Sequence, residues 1–414
     1  MSRSATSPQT PSWTDGLCEG LTVLELASVL AGPSVGQFFA ELGARVIKVE
    51  NPSTQGDVTR TWKTATEPDS DRSAYFHACN WGKESVAIDL RSNAGIRLLH
   101  ELVAASDIVI SNYLPRAAKK FEADFDQLKK VKSDIILGTI VGYAPDSDRP
   151  GYDAIIQAEA GYYHINASPT SEGWKPAKMP VALMDVLAGH QLKQALLMAL
   201  LRRERTGQGA EVVVSLYEAA VSGLVNQATN WLVGGKVPAP LGSAHPNIAP
   251  YGSVYTTLDA HPIILGVGTD KQFVSLCDIL GKPEWADDPQ FKTNQLRVIN
   301  RTALNDCLQS AIGSVRREIM LSACEEKGIP AGAVRQMDEV IGKTAGHLLL
   351  LDDANKASGV RETAIWPPAA PQESLSLSAP PSYAANTSQV LREVLSMDQK
   401  HIDSLIAEGT IVQS

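Results

Sequence analysis

The run from residue 21 to residue 50 constrains the fold more than any other part of the chain. Residues 21–27 form an apolar stretch of buried-strand composition, and the loop Ser28-Val29-Leu30-Ala31-Gly32 follows. Pro33 then opens a helix in which Val35, Phe38, Phe39 and Leu42 recur at helical spacing, with Gly43 as its stop. Residues 46–50 make a second apolar strand. A strand, a helix and a strand of these lengths pack as a crossover between two parallel strands, the seed of a parallel sheet. The alternation continues with strands at 85–90, 108–110 and 135–141 and an amphipathic helix at 92–105. The fold class is therefore α/β, with an open, parallel, Rossmann-like large domain. Ligands of such sheets bind outside the carboxyl ends of the strands, here 28–33, 50–60, 89–91, 111–115 and 142–153.

A dinucleotide site is the first possibility to weigh. The turn at 28–33 has one glycine where a pyrophosphate cradle wants Gly-x-Gly-x-x-Gly, so Glu50, at the end of the second strand, reads as structural rather than as a ribose ligand. Further along, Val181 to Gly189 carries one carboxylate, Asp185, where an apolar run becomes a long helix. Leu187, Leu192, Leu196, Leu197, Leu200 and Leu201 make that helix apolar nearly all round, which predicts burial on every side. Arg202, Arg203 and Arg205 suit its negative end and Gly207 its stop, while Asp185 stands at the positive end, where free N–H groups and the dipole favour an anion. An acid at a helix start is ordinarily a cap or a dipole partner, so position alone does not make it a nucleophile.

Residues 210–215 read as a strand and 216–231 as one helix. The segment 234–250, with four prolines and three glycines, reads as a crossing to another domain. Beyond it, 252–258 and 262–267 form a hairpin around Asp259-Ala260-His261, and helices follow near 270–280, 301–312 and 316–327, a smaller α+β domain. Residues 366–382 read as extended, and an amphipathic pair at 388–395 and 398–408 closes the chain. The expected organisation is a disordered lead at 1–18, a large α/β domain at 19–233, a linker at 234–250, a small α+β domain at 251–335, and a C-terminal segment at 336–414 that returns to the large domain.

With 414 residues and a net charge of −9, the chain has room for two sizeable cores and no general nucleic-acid-binding surface, although a local basic pocket stays possible. No stretch predicts a membrane span, and residues 1–16 lack the apolar centre of a signal peptide. Five scattered cysteines (Cys18, Cys79, Cys277, Cys307 and Cys324) without a Cys-x-x-Cys pair argue against a disulfide framework or a zinc site; they suit a reducing cytoplasm, and no metal is expected.

Several motifs in a fixed order resemble one family. They are Val29-Leu30-Ala31-Gly32-Pro33, the run from Leu42 to Pro52, Gly56-Asp57-Val58-Thr59-Arg60, Asn80 to Lys83 with Ser85, and Asp107 to Pro115. Gly151-Tyr152-Asp153 with Gln157-Ala158, the Asp185 segment, Arg205 to Gly209, Pro250-Tyr251, Arg297 with Asn300, and Gly328-Ile329-Pro330 complete the series. From Gly20 almost to the C-terminus the chain resembles the class III CoA-transferases, the family of formyl-CoA:oxalate and carnitine CoA-transferases. The resemblance implies an enzyme that moves coenzyme A between carboxylic acids, with Asp185 as the covalent nucleophile and an aspartyl-CoA thioester as intermediate. Coenzyme A and its acyl esters are then substrates, with no permanently bound cofactor, and the assembly implied is an interlocked homodimer. Carried over by resemblance, the adenine and phosphate side of CoA would meet Leu30, Ala31, Ile88, Asp89, Leu90, Arg91, Asn112, Tyr113, Leu114 and Lys120. Tyr152, Asp153 and Gln157 would lie nearer the pantetheine and the reacting carbon.

The chain departs from the family at Asn51, where some members have arginine, at Ala260-His261, where Asp-Gly is usual, and at 384–387, which lacks the usual glycine. It also has no run of four glycines, so 234–250 need not close over the aspartate. Two other readings compete. An α-methylacyl-CoA racemase of the same fold needs a second base, and the racemases have Gly-His-Asp where this chain has Tyr152 before Asp153; a phenol is a poor base at neutral pH. His164, His190 and His245 remain as alternative bases, and Arg60 could be an ion-pair partner rather than a ligand. A catalytically silent CoA-ester binding protein is the third reading, and it gives no reason for the intact Asp185 segment.

Overall fold

A computed structural model describes residues 16–343, 348–363 and 377–414, with the side chains of 169, 342 and 343 left out. The expected lead therefore lies almost wholly outside the described residues, as do 366–376 of the expected extended segment.

The chain forms two compact units, one of residues 16–156, 181–224 and the described part of 348–414, the other of residues 157–180 and 225–343. Boundaries expected at 233 and 250 are thus displaced. Residues 157–180 group with the second unit, where the Gly242 N–H donates to the Ala167 carbonyl at 2.9 Å. The single helix expected at 216–231 is two, Leu216–Gly223 and Asn226–Gly234, broken where Val225 takes φ +41, which an α-helix cannot accommodate.

The first unit is built on a seven-stranded sheet in the order Ile411–Val412, Lys83–Ile88, Arg45–Glu50, Thr22–Leu26, Ile108–Ser111, Ile136–Val141, Ala210–Ser215. All pairs are parallel except the first, in which Ile411 faces Ile88. The inner strands are buried on both faces, which is why they read as continuous apolar runs rather than as alternating ones. The Asn93–Ala104 helix covers one face, and the C-terminal helices Thr387–Leu395 and Gln399–Ala407 close over the same core through Val390, Leu391, Ile402 and Leu405. The Leu183–Thr206 helix packs on the strand Ile136–Val141, where Gly138 leaves room: a Cβ there would stand 2.9 Å from Leu196.

That helix is not buried all round. Met184, Asp185, Ala188, Gly189, Leu192, Leu196 and Ala199 face inward, whereas Leu197, Met198 and Leu201 are 43%, 66% and 52% exposed. The reason is geometric, since one sheet covers only one side of a helix.

In the second unit Tyr251–Thr256, Pro262–Gly266 and Ala331–Ala333 form an antiparallel sheet, the expected hairpin with a third strand added at its far edge. Helices Asp270–Ile279, Arg301–Ile312 and Arg317–Glu326 pack Phe273, Leu276, Leu304, Leu308 and Met320 against Tyr255, Ile263 and Leu265. Ala260 turns the hairpin at φ +59 without the glycine usual for that conformation.

Candidate active site

The first unit buries four charges that meet in one cluster, two of them, Glu25 and Lys48, inside apolar strands. Glu25 lies within the central strand and is fully buried. Lys48 Nζ donates to Glu25 Oε1 at 2.9 Å and to the Ala27 carbonyl at 2.8 Å, and stands 3.0 Å from Asp57 Oδ2. Lys83 Nζ donates to Glu25 Oε2 at 2.7 Å, the Pro33 carbonyl at 2.8 Å and Asn80 Oδ1 at 3.0 Å. Two acids and two bases leave the cluster neutral, which is what allows it to be dry. Burial disfavours the Lys48 charge, but Glu25, Asp57 and Glu50 outweigh it and raise its pKa. For Lys83, burial prevails over the attraction of Glu25, and with repulsion from Lys48 the pKa falls.

This cluster fixes the loop after the central strand. Asp57 accepts from the Thr59 N–H at 3.0 Å and Oγ1 at 2.8 Å, and its two oxygens each lie 3.3 Å from the Val29 nitrogen that donates to them. Val29 has φ +75, a left-handed conformation that costs a β-branched residue about 1–2 kcal/mol or more. Burial tends to raise the Asp57 carboxyl, but Lys48 and the Thr59 donors overcome it and hold it below the usual range. The Cys79 thiol, pushed up to about 12 chiefly by burial, donates to the Val29 carbonyl at 3.5 Å. One residue earlier, Asn112 Nδ2 donates to the Ser28 carbonyl at 2.8 Å while the Ser28 N–H donates to Asn112 Oδ1 at 3.2 Å. That clamp bridges the first and fourth strands, the point from which connections run to opposite edges of the sheet and where such folds open a crevice.

Helix Ala31–Glu41 begins here, two residues before the proline expected to open it. Pro33 occupies the third helical position, where a missing N–H costs no intrahelical bond. No side chain caps this helix. Beside its first turn runs the start of the Leu183–Thr206 helix, because Gly189 has no side chain: a Cβ there would stand 2.6 Å from Ser34 Oγ and 3.2 Å from the Ala31 carbonyl. Asp185 lies in the first turn of that second helix, one turn before Gly189, and is 8% exposed. The Met184 N–H donates to Asp153 Oδ1 at 2.8 Å, so Asp153 caps the helix from outside. Burial pushes the Tyr75 phenol up to about 12, reinforced by the Asp185 carboxylate, Cys79, Asp153 and Asp57. Tyr75 is therefore a neutral hydrogen-bond donor at ordinary pH.

The other residues expected to contact CoA divide by what their side chains do. Leu30 is the N-cap of the Ala31–Glu41 helix and Ala31 its first residue, so both stand at the crevice with Asn112. Leu114 caps the Pro115–Lys120 helix, and Tyr113 packs against the core and Phe121, with burial pushing its phenol up to about 12. Ile88 and Leu90 are buried in the apolar core, leaving only their backbone for a ligand. Asp89 pairs with Arg91 at 2.8 Å on the surface, so a phosphate at Arg91 has to displace or share that carboxylate. Lys120 stands 5.8 Å from the Phe121 ring. Tyr152 is 61% exposed. In the second unit Gln157 is fully buried, its amide exchanging hydrogen bonds of 3.2 and 2.9 Å with the Met179 backbone. Glu50 and Arg60 are structural: Arg60 makes two bonds to Glu50, of 2.8 and 2.6 Å, and stacks on Phe76.

Residue-type reasoning gave Glu25 and Tyr75 no role, and Lys48, Asp57 and Lys83 only places in motifs. The signal available was a charge inside an apolar strand, at Glu25 and Lys48.

Residues 18–386 match the model of CoA-transferase family III. The chain belongs to CoA-transferase family III. The succinate–glutarate CoA-transferase of Agrobacterium fabrum is 37% identical over 78% of this transferase and 80% of its own length. The mouse succinyl-CoA:glutarate CoA-transferase is 33% identical, covering 95% of this chain and 90% of its own. Among solved structures, a CAIB/BAIF family protein from Brucella suis superposes with a TM-score of 0.78 at 35% identity, over 92% of this chain and 100% of that one. The transferase is thus an enzyme acting on CoA esters and acids, and the expectation drawn from its motifs holds at the level of family, fold and reaction class.

Proposed function

We propose that this transferase carries CoA from an acyl-CoA donor to a carboxylic acid acceptor through a thioester on Asp185. The observation that carries the reading is the position of Asp185: a buried carboxylate in the first turn of a helix whose Met184 N–H is taken by Asp153, beside the uncapped start of a second helix. An Asp185 oxygen attacks the thioester carbonyl and expels CoA thiolate, leaving a mixed anhydride. The thiolate then attacks the Asp185 acyl carbon, releasing the donor acid as carboxylate and forming aspartyl-CoA thioester. The acceptor carboxylate repeats these two steps in reverse. The first-turn N–H groups of Ala31 and Gly32 are the donors we assign to the oxyanion of the tetrahedral intermediates.

The names of the relatives point to four- and five-carbon dicarboxylates as the acids exchanged, with succinyl-CoA as donor and glutarate as acceptor. Leu30, Ala31 and Asn112 to Leu114 at the crevice, with Arg91 and Lys120, are the proposed CoA contacts. The exposed Leu197, Met198 and Leu201 support the homodimer that the resemblance implies. The five free cysteines, four of them buried, suit the cytoplasm.

The test is mass spectrometry of the protein mixed with succinyl-CoA and trapped with hydroxylamine or borohydride. Modification on the Asp185 peptide, absent in Asp185→Ala, is expected. An active enzyme with no trapped adduct and an active Asp185→Ala would refute the reading.

A further inference from the structure

The second unit contains a cavity of about 390 Å³ whose lining includes Lys236 and Arg301 and no acidic residue. In a chain of net charge −9 two cations facing one space without a carboxylate are out of keeping with the average surface. Among the described residues no carboxylate pairs with Arg301. Its Nη2 and Nη1 donate to the carbonyls of His245 and Ile248, at 2.6 and 3.3 Å, and burial lowers its pKa with only the Tyr255 phenol opposing. These bonds to carbonyl oxygens hold the guanidinium in place while leaving its charge uncancelled.

The cavity is otherwise apolar and amide-lined. Val237, Leu241 and Val298 supply walls, and Gln227 presents an Oε1 that is buried with no hydrogen-bond partner. An orphaned buried amide oxygen costs about 1–3 kcal/mol unless something donates to it. Asn230 and Asn247, also on the lining, exchange hydrogen bonds of 2.8 and 3.0 Å with each other and so stiffen one side. Cations for a carboxylate, a short apolar passage and an acceptor for a hydroxyl or a protonated second carboxyl make the complement of a small aliphatic acid, in a volume typical of small-molecule sites.

We propose that this cavity of the second unit binds a small aliphatic mono- or dicarboxylate, with its carboxylate on Lys236 and Arg301. Occupation of this cavity does not require the covalent chemistry proposed above.

The test is titration calorimetry of glutarate into the full-length protein without CoA esters, in wild type, Asp185→Ala, Lys236→Gln and Val298→Trp. Binding that persists in Asp185→Ala and weakens about tenfold or more in Lys236→Gln, the loss of one charge-assisted bond, is expected. Val298→Trp fills the cavity and is expected to abolish it, with circular dichroism and melting as controls for folding. Glutarate binding lost in Asp185→Ala, unaltered in both cavity variants, or undetectable at millimolar concentration would overturn the proposal. Displacement of glutarate by an equal concentration of inorganic phosphate would show a site for simple anions and overturn the aliphatic assignment.

Discussion

Lys48→Met tests whether charge balance is what holds the loop at the crevice. Glu25, Asp57, Lys48 and Lys83 are all at most 5% exposed, and their charges sum to zero. Removing the Lys48 ammonium leaves two buried carboxylates facing one cation and deprives the Ala27 carbonyl of its donor at 2.8 Å. Breaking a buried pair in this way costs about 3–5 kcal/mol, because the remaining charge is uncompensated. Asp57→Asn added to Lys48→Met restores neutrality, and we expect it to recover about 2 kcal/mol of that loss. Hydrogen exchange read by mass spectrometry on peptides spanning 22–50 should therefore accelerate by about two to four decades in the single variant and by less in the double. The pH dependence should also change sign. In the wild type the Asp57 carboxyl is depressed by Lys48, so its stabilisation is present above the ordinary carboxyl value and is lost as pH falls through the depressed one. In Lys48→Met a carboxyl is forced to retain a proton, its pKa rises, and protection should increase as pH falls from 7 to 5. A loss below about 1 kcal/mol, or a double variant no better protected than the single, would refute the charge-balance argument.

Three further outcomes follow from particular contacts. Gly189→Ala places a Cβ 2.6 Å from Ser34 Oγ and must separate the two helix starts; we expect kcat to fall at least tenfold with a stability loss of about 1–3 kcal/mol, measured by steady-state assay and urea unfolding. Ala260 and Ala384 both sit at φ +59, so Ala260→Gly and Ala384→Gly should each gain up to about 1 kcal/mol, seen as a higher melting temperature, with the buried Ala384 the more sensitive to packing loss. Arg297 is fully buried, donating to the carbonyls of Ala249 and Phe291 and pairing with Asp270 at 2.7 Å; Arg297→Met should destabilise the second unit by about 2–4 kcal/mol, read as faster exchange in peptides 249–291.

What the sequence determines by itself is what local periodicity and residue chemistry can carry. The parallel sheet was legible because strands buried on both faces must be apolar throughout, and the hairpin at Asp259-Ala260-His261 because it joins two strand-like runs. Asp185 stood out because a single acid precedes a long apolar helix, and the ordered motifs around it named the family. Periodicity could not tell that Leu197, Met198 and Leu201 stay outside while Leu192 and Leu196 go in, since apolar character on all sides carries no direction. It could not place 157–180 in the second unit, since that depends on a backbone bond from Gly242 to Ala167. Nor could it join Glu25, Lys48, Asp57 and Lys83, which are separated by up to 58 positions and meet only when three strands and a loop align. The apposition of two helix starts at Gly189 and Ser34 was equally invisible. Such pairings are decided by tertiary structure because their energy comes from burial together, and no single segment of the chain contains both partners.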